Sequence, residues 1–541
     1  MIWTRREAIQ AVLAGRLGYG SELGAVAGIR LRPYPQKHRT FHALEDPGVP
    51  AELREIPPAL PVGETRAVAL ASDGALWLGF PDGLIRYDPR AGEPDRRQYF
   101  AGRRYLPDDE VVNLAPDTAG GMWVRTRTGV SHIEFQAMTL AAKAALFERR
   151  IEPRHNRYGM VASSRLARPG DLASNELASS DNDGLWTAIY GAAECFRYAV
   201  TGSPEALAKA TRSVETLLFL EQVTGRPGFP ARSCVKKGER RPADGEWHWS
   251  ADGQYQWKGD TSSDELVGHY CLYSTAFDLL PASPLQQRMA GAVRRITDHI
   301  LQHGYHLTDI DDQPTRWGRW SPEYFETPTG RPDSPLNSLE LLSFLGIAAH
   351  ITRQEYYRSE YRKAAWQMRY AELTTRLLEL REELNYSDEE LAMLCFYPLF
   401  RHEEDPALVR YYRQALQAWW QNIQREKNPL WTFIYMCGWD RPPEPVDLAG
   451  AAWTLYRIPT DLIDWTVRNS HRKDVAPDGG LDRFQRPQTT TLLPPDERPV
   501  MKWNGNPFRI DGGSGGAGED DGGFFLLPYW LGRYHGFLLG E

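Results

Sequence analysis

Two rhythms divide the chain. Between about residues 60 and 135 apolar and polar positions alternate, the period-two pattern of half-buried strands, and beyond about residue 135 the apolar positions recur at helical spacing to the end. The first rhythm predicts a small β-rich region and the second a succession of amphipathic helices. Leu185, Ile189, Phe196 and Val200 make one helical stripe, and Val214, Leu217, Leu218 and Val223 make the next. Between them Ser203-Pro204-Glu205 reads as a helix start, with serine as N-cap, proline at the first helical position and a carboxylate in the first turn. The punctuation recurs at Ser283-Pro284, and Ser387-Asp388-Glu389-Glu390 reads as a capping box. Further helices are expected over 135–149, 263–280, 284–303, 337–351, 356–380, 388–402, 406–424, 429–436, 448–456 and 524–534, about twelve in hairpin order.

Within the β-rich stretch one pattern occurs twice. Asp73-Gly74-Ala75-Leu76-Trp77-Leu78-Gly79 leads to Gly83-Leu84-Ile85-Arg86-Tyr87, and Gly120-Gly121-Met122-Trp123-Val124 leads to Gly129-Val130-Ser131-His132-Ile133. Each unit reads as strand, glycine-bearing turn, strand. The pattern resembles the propeller repeat of bacterial sensor proteins. Two copies cannot close a propeller of four or more blades, so a small appendage over 29–134 is expected instead of a ring.

Alternating short and long connections in the helical part are what an (α/α)6 toroid requires: short links join each pair, and long loops rise at one end around a cleft. Thr201-Gly202-Ser203-Pro204-Glu205 and Thr352-Arg353-Gln354-Glu355-Tyr356 resemble the tight helix turns of toroid glycoside hydrolases, polysaccharide lyases and sugar epimerases. The resemblance covers residues 135–541 and implies a mainly α fold with a glycan-binding cleft. The long segments 229–263 and 305–336 hold the unusual residues. A third, 511–523, is glycine-rich and acidic at its tip, and reads as a flexible surface loop or as a lid over the cleft, the surface loop being the first expectation.

Composition narrows this reading by exclusion. The 541 residues exceed one ordinary core, and a net charge of −8 gives no electrostatic reason to bind nucleic acid or an anionic membrane. No apolar run reaches the ~20 residues that span a bilayer. Five scattered cysteines without a Cys-x-x-Cys pair argue against a zinc site or a disulfide framework. At the start, Thr4-Arg5-Arg6 followed by Ala11-Val12-Leu13-Ala14-Gly15 resembles a twin-arginine export signal over 1–28, although Arg16 and Glu22 interrupt its apolar region. A periplasmic or secreted location is therefore expected, with a plain amphipathic helix as the other reading.

The candidate chemistry gathers at helix starts. Asp183 opens one helix beside Trp186, and Trp257 precedes Asp260, Asp264, Glu265 and His269 at the mouth of another. Hydrolysis of a glycosidic bond needs one carboxylic acid to protonate the leaving oxygen and one carboxylate as base or nucleophile, and these acids supply both. Capping competes: Ser262-x-x-Glu265 fits a capping box and Asp181 a plain N-cap, roles that Asp183, Asp260 and Asp264 escape more easily. His269 lies on the same helix face as Glu265 and reads as an acid–base group or as a core histidine. Tyr305, Arg316, Trp317 and Trp320 fit a hairpin turning at Asp311-Asp312, either a sugar subsite or a clasp on the rim.

Paired carboxylates make a glycoside hydrolase the first expectation, with an oligo- or polysaccharide as substrate. A lyase would use Arg316 against a uronate, with His269, Tyr270 or Tyr305 as base. An epimerase would need a second histidine, and a non-catalytic glycan-binding protein needs none of these. Asp309, Asp311 and Asp312 alternate as in a calcium loop but lack a fixed frame, so neither metal nor cofactor is expected.

Overall fold

The computed structural model describes residues 28–54, 65–381 and 385–540. All but the last residue of the expected export signal lies outside them. The described chain is mainly helical, with a small β-rich N-terminal region.

Twelve longer helices carry the architecture: α1 (Leu140–His155), α2 (Asp183–Thr201), α3 (Pro204–Gln222), α4 (Ser263–Leu279), α5 (Pro284–Gln302), α6 (Gly330–Thr352), α7 (Glu355–Arg362), α8 (Tyr386–His402), α9 (Pro406–Ile423), α10 (Pro429–Cys437), α11 (Leu448–Arg457) and α12 (Gly523–Tyr534). Six of them are joined in a closed circuit. Helix α2 packs on α4, α4 on α6, α6 on α8, α8 on α10, α10 on α12, and α12 returns to α2. The first five of these also pack against the helix that follows them in the chain, α3, α5, α7, α9 and α11, and α12 packs against α1 from the other end of the helical region.

Burial separates the two sets as their sequences require. In α4 nearly every residue from Ser263 to Ala276 is buried, whereas α5 buries a stripe of Met289, Ala292, Val293, Ile296, Thr297, His299 and Ile300. A helix apolar on all sides belongs inside, and one with a single apolar face belongs outside. Because an outer helix returns the chain between successive inner ones, the inner helices run in one direction and present their N-termini at one end.

The structure departs from the expected elements in three places. The segment 135–138 belongs to the strand Val130–Met138, and α1 begins only after Thr139, whose side chain accepts from the Ala142 N–H. The single helix expected over 356–380 is broken: after α7 a five-residue π segment, Lys363–Gln367, leads to Arg369 at φ 60°, and shorter helical pieces follow. Helix α6 starts before its expected 337, running through Pro335.

Each β unit is wider than a hairpin. Ala67–Leu70, Leu76–Phe80, Gly83–Tyr87 and Arg97–Phe100 form one four-stranded antiparallel sheet, and Val111–Pro116, Met122–Thr126 and Val130–Met138 form another that Tyr34–His42 completes. An isolated two-stranded hairpin is marginal in water, and the added strands supply the missing pairing. Trp77, Phe100, Met122 and Ile133 meet in a core of their own.

The β region is fastened to the helices by buried charge. Asp496, 5% exposed, accepts from Lys37 Nζ at 2.6 Å, from the Tyr105 hydroxyl at 3.0 Å and from Arg457 Nε at 3.1 Å. Arg457 also reaches Asp95 at 2.8 Å and Glu497 at 3.2 Å. Fully buried Lys143 donates to the carbonyls of Leu455, Tyr456 and Ile458, meeting the negative end of α11.

Candidate functional site

The N-terminal end of the inner helices gathers the acidic residues. Arg232 holds two of the mouths together: Nε donates to the Asp181 carbonyl at 2.7 Å, Nη2 to Asn182 Oδ1 at 3.0 Å and Nη1 to the Asp260 carbonyl at 3.2 Å. Asn182 Nδ2 in turn lies 3.4 Å from Asp264 Oδ1, which bridges the starts of α2 and α4. Asp264 stands in the first turn of α4 and is half-buried. Burial raises its pKa, the Asp388 carboxylate adds to the rise, and the bond from Ser262 and the charge of Arg232 only partly oppose it.

Across the same end, at the start of α12, Asp521 behaves in the opposite sense. Burial pushes its pKa up, but the Lys502 ammonium 3.5 Å away, the charge of His155 and the Gly523 N–H outweigh it and hold the carboxyl below its ordinary range. Its neighbour Asp520 is raised to about 6, by burial first and then by the charges of Asp521 and Asp464. Glu390 at the start of α8 is 1% exposed and accepts from Trp503 Nε1. Burial lifts it to about 8, with Lys502 opposing and with Asp264 and Asp521 adding to the rise, so Glu390 lies within the field of both aspartates. Lys502 Nζ sits 3.4 Å above the half-buried ring of Trp186, occupying that face.

Several expected site residues lie elsewhere. Asp183 is fully buried and saturated: Arg157 Nη2 donates to it at 2.6 Å, Ser180 N at 2.9 Å, Ser180 Oγ at 2.6 Å, and the Ser233 hydroxyl completes the set. A carboxylate so held has no face left for a substrate. Glu265 is also fully buried, and it accepts from the Leu185 N–H of α2 at 3.3 Å. Burial raises its pKa well above the ordinary value, and a Cβ on Gly184 would stand 1.9 Å from its Oε2, so a larger residue there would displace the carboxylate. His269 is the core histidine: it is fully buried, bonds the Glu265 carbonyl through Nδ1 at 2.7 Å, packs edge-on to Tyr273, and burial drives it down to about 4.

Of the aromatic candidates, Trp257 is buried against Phe229 and His248, and Trp320 is buried with its Nε1 on Glu340 at 2.8 Å. Tyr305 is clasped to the outer layer by Glu360 and Lys363. Trp257 and Trp320 belong to packing, since a ring must be reachable to stack on a sugar, whereas Tyr305 is half-buried with its hydroxyl held by its two neighbours. Arg316 and Trp317 are on the surface of the hairpin whose strands are His306–Thr308 and Pro314–Arg319, and Trp317 is 51% exposed. The Arg316 N–H donates to Asp260 Oδ1 at 2.9 Å, joining this hairpin to the α4 mouth. Asp260 itself sits at φ 47°, a strained conformation for a non-glycine residue.

Asp388, Glu390, Lys502, Asp520 and Asp521 were not among the expected site residues. Only one signal pointed to the last pair: Asp520-Asp521-Gly522-Gly523 opens a helix as Asp181-Asn182-Asp183-Gly184 does. The segment 511–523, expected to be a flexible surface loop, is tied down by the Gly512–Val467 bridge, by Gly516 N on the Asp464 carbonyl and by Asp520 N on the Leu462 carbonyl.

No family model and no curated protein matches the chain. Among solved structures, a metagenome-derived glycoside hydrolase family 9 endoglucanase is similar over 95% of this chain and 98% of that one, with 12% identity and a TM-score of 0.32. At that score the likeness carries no weight for fold or activity.

Proposed function

We propose that the chain is a glycan-degrading enzyme on an (α/α)6 toroid, and that it hydrolyses a glycosidic bond with Asp264 as general acid and Asp521 as the ionised partner. The observation that supports this most is the divergence of two carboxylates at one end of the helix circuit: Asp264 is raised by burial and Asp521 is lowered by Lys502 and His155. Environments that push two acids apart assign an acid and a base, which is what the reaction needs. Asp264 gives its proton to the leaving oxygen. Asp521 either takes a proton from the water that attacks the anomeric carbon or attacks that carbon itself; separations of roughly 6.5–9.5 Å or about 5–5.5 Å select between these courses.

Arg232 acts as a positioning residue, since it fixes the loops that carry Asn182 and Asp260 without carrying chemistry itself. Arg316 and Trp317, exposed on the neighbouring hairpin, are the proposed outer subsite. The lyase reading loses its bases: His269 is buried, Tyr270 is buried with its hydroxyl on Thr297, and Tyr305 is bonded to Glu360 and Lys363. The epimerase reading loses its one histidine with His269. The proposal includes export through the Arg5-Arg6 segment, so that the substrate is an extracellular or periplasmic glycan.

A glycan panel read by mass spectrometry tests the reading. Products that gain water support hydrolysis. Unsaturated products, isomers, or binding without turnover each overturn it in favour of a lyase, an epimerase or a receptor. Asp264→Asn and Asp521→Asn should each abolish the water-adding activity, and full turnover in either would remove that residue from the chemistry.

A further inference from the structure

A second group of donors lies beside the mouth, on the three-stranded sheet of Cys234–Lys236, Tyr255–Lys258 and Trp247–Trp249. His248 pairs with Trp257 across this sheet, and its ring rests against the indole at 4.6 Å between centroids. Glu246, two residues earlier, shares its side of the strand, because side chains alternate with period two. Asp309 comes from the opposite direction, directly after the strand His306–Thr308. One carboxylate oxygen of Glu246, one imidazole nitrogen of His248 and one carboxylate oxygen of Asp309 all lie within 4.8 Å of one another.

Three independent features make this more than an acidic patch. The Nε2 atom of His248 is buried and has no hydrogen-bond partner among the described residues, a costly state for a polar atom. The space between the donors is kept open by Gly259: a Cβ there would stand 2.8 Å from Asp309 Oδ2 and 3.1 Å from His248 Nε2. Asp309 is oriented by the backbone, with Oδ2 accepting from Asp260 N at 2.7 Å and Oδ1 from Ile310 N at 2.6 Å, which leaves lone pairs on Oδ2 for a further partner.

The charge balance separates this cluster from the other His/carboxylate group at the far end of the helices. There Asp278 lies 2.8 Å from His350, 3.4 Å from His402 and 3.7 Å from Arg401, so its oxygens already face protein groups. Among the described residues, neither Glu246 nor Asp309 makes an ion pair with lysine or arginine, although Asp181 and Asp244 nearby share Lys258.

We infer that Glu246, His248 and Asp309 bind one first-row divalent cation of the Zn2+ or Mn2+ kind. One imidazole and two carboxylates suit such an ion, and solvent completes its coordination. The ion would fasten the 247–249 strand to the 306–319 hairpin, and through Asp309 it would steady Asp260 at the entrance of α4. This inference does not rest on the glycan reading, because its readout needs no turnover.

The test is titration of the full chain, stripped with a chelator, with ZnCl2 and with MnCl2, followed by calorimetry and thermal melting. Expected are one equivalent of Zn2+ or Mn2+ bound and a melting temperature raised by several degrees and returned by the chelator. Glu246→Gln, at an exposed position where folding is not at stake, and His248→Ala should each weaken binding at least about tenfold. His350→Ala should leave it unchanged. Absence of saturable binding, undiminished affinity in Glu246→Gln, or loss of binding in His350→Ala would each overturn the assignment.

Discussion

Asp496 and Glu390 are both nearly inaccessible to solvent, yet their surroundings drive them in opposite directions. Burial acts on Asp496 to raise its pKa, but Arg457 and then Lys37 outweigh it and hold the carboxyl far below its usual range. At Glu390 the same burial prevails, because the opposing charge of Lys502 is met by two aspartates on the other side. Depth alone therefore says little about a carboxylate. What matters is how many cations the fold brings to it: at the seam between the β region and the helices they suffice to make a fastening, and beside Asp521 at the mouth of α12 they suffice as well, whereas at Glu390 they do not.

The strongest way to break this contrast is at the seam. Asp496→Asn leaves Lys37 and Arg457 buried beside a neutral group, and should cost about 3–5 kcal/mol of stability in urea unfolding. A loss under about 1 kcal/mol would mean that Glu497 and Asp95 carry the fastening instead. Next comes the mouth: Asp264→Asn should reduce glycan turnover at least about a hundredfold while leaving the melting temperature level or higher, since it removes a half-buried carboxyl whose surroundings disfavour its ionised form. A melting point that falls as far as that of Asp496→Asn would erase the distinction.

Dependence on pH sharpens it further. Glu390 titrates near 8 in the folded chain and at about 4.5 when unfolded, so the unfolded state ionises first and stability declines as pH rises through that interval. Glu390→Gln keeps an acceptor for Trp503 and should flatten that decline, gaining up to a few kcal/mol over the natural chain between pH 5 and pH 8. Asp496 works the other way, since its contribution is complete above its unfolded value near 3.8 and is lost as acid protonates it in the fold. Melts across pH read both slopes. Smallest is the rim: Trp317→Ala should raise KM severalfold and change stability by less than about 0.5 kcal/mol, because half of that side chain is already in water.

The sequence made the helices legible and the site only partly so. Apolar spacing locates α2 to α5 within a residue or two, since a helix needs only its own stripe to be recognised. It fails over 356–380, where Arg369 turns into positive φ and a π segment intervenes, events that no periodicity announces. Asp264 is legible as an acid at a helix mouth. The saturation of Asp183 is not, because it depends on Arg157 and Ser233, which only folding brings to it. Asp521 was hidden for a different reason: glycine-rich composition reads as slack, and the hydrogen bonds to Asp464 and Leu462 that stiffen this segment come from a distant part of the chain. The resemblance of the Trp77 and Trp123 units to the sensor propeller repeat finds no support in the comparisons.

Near the chain's beginning Ile29 and Arg30 lie parallel to Leu538 and Leu539, and α12 closes the circuit against α2. Residues 29 and 30 and helix α2 therefore find these partners only far along the chain. Until residue 539 has emerged, α2 exposes the apolar flank that α12 will cover, so synthesis passes through a long interval in which the chain is sticky and incomplete. Contacts of such sequence separation slow folding as well, and a cell making this protein has reason to shield the growing chain.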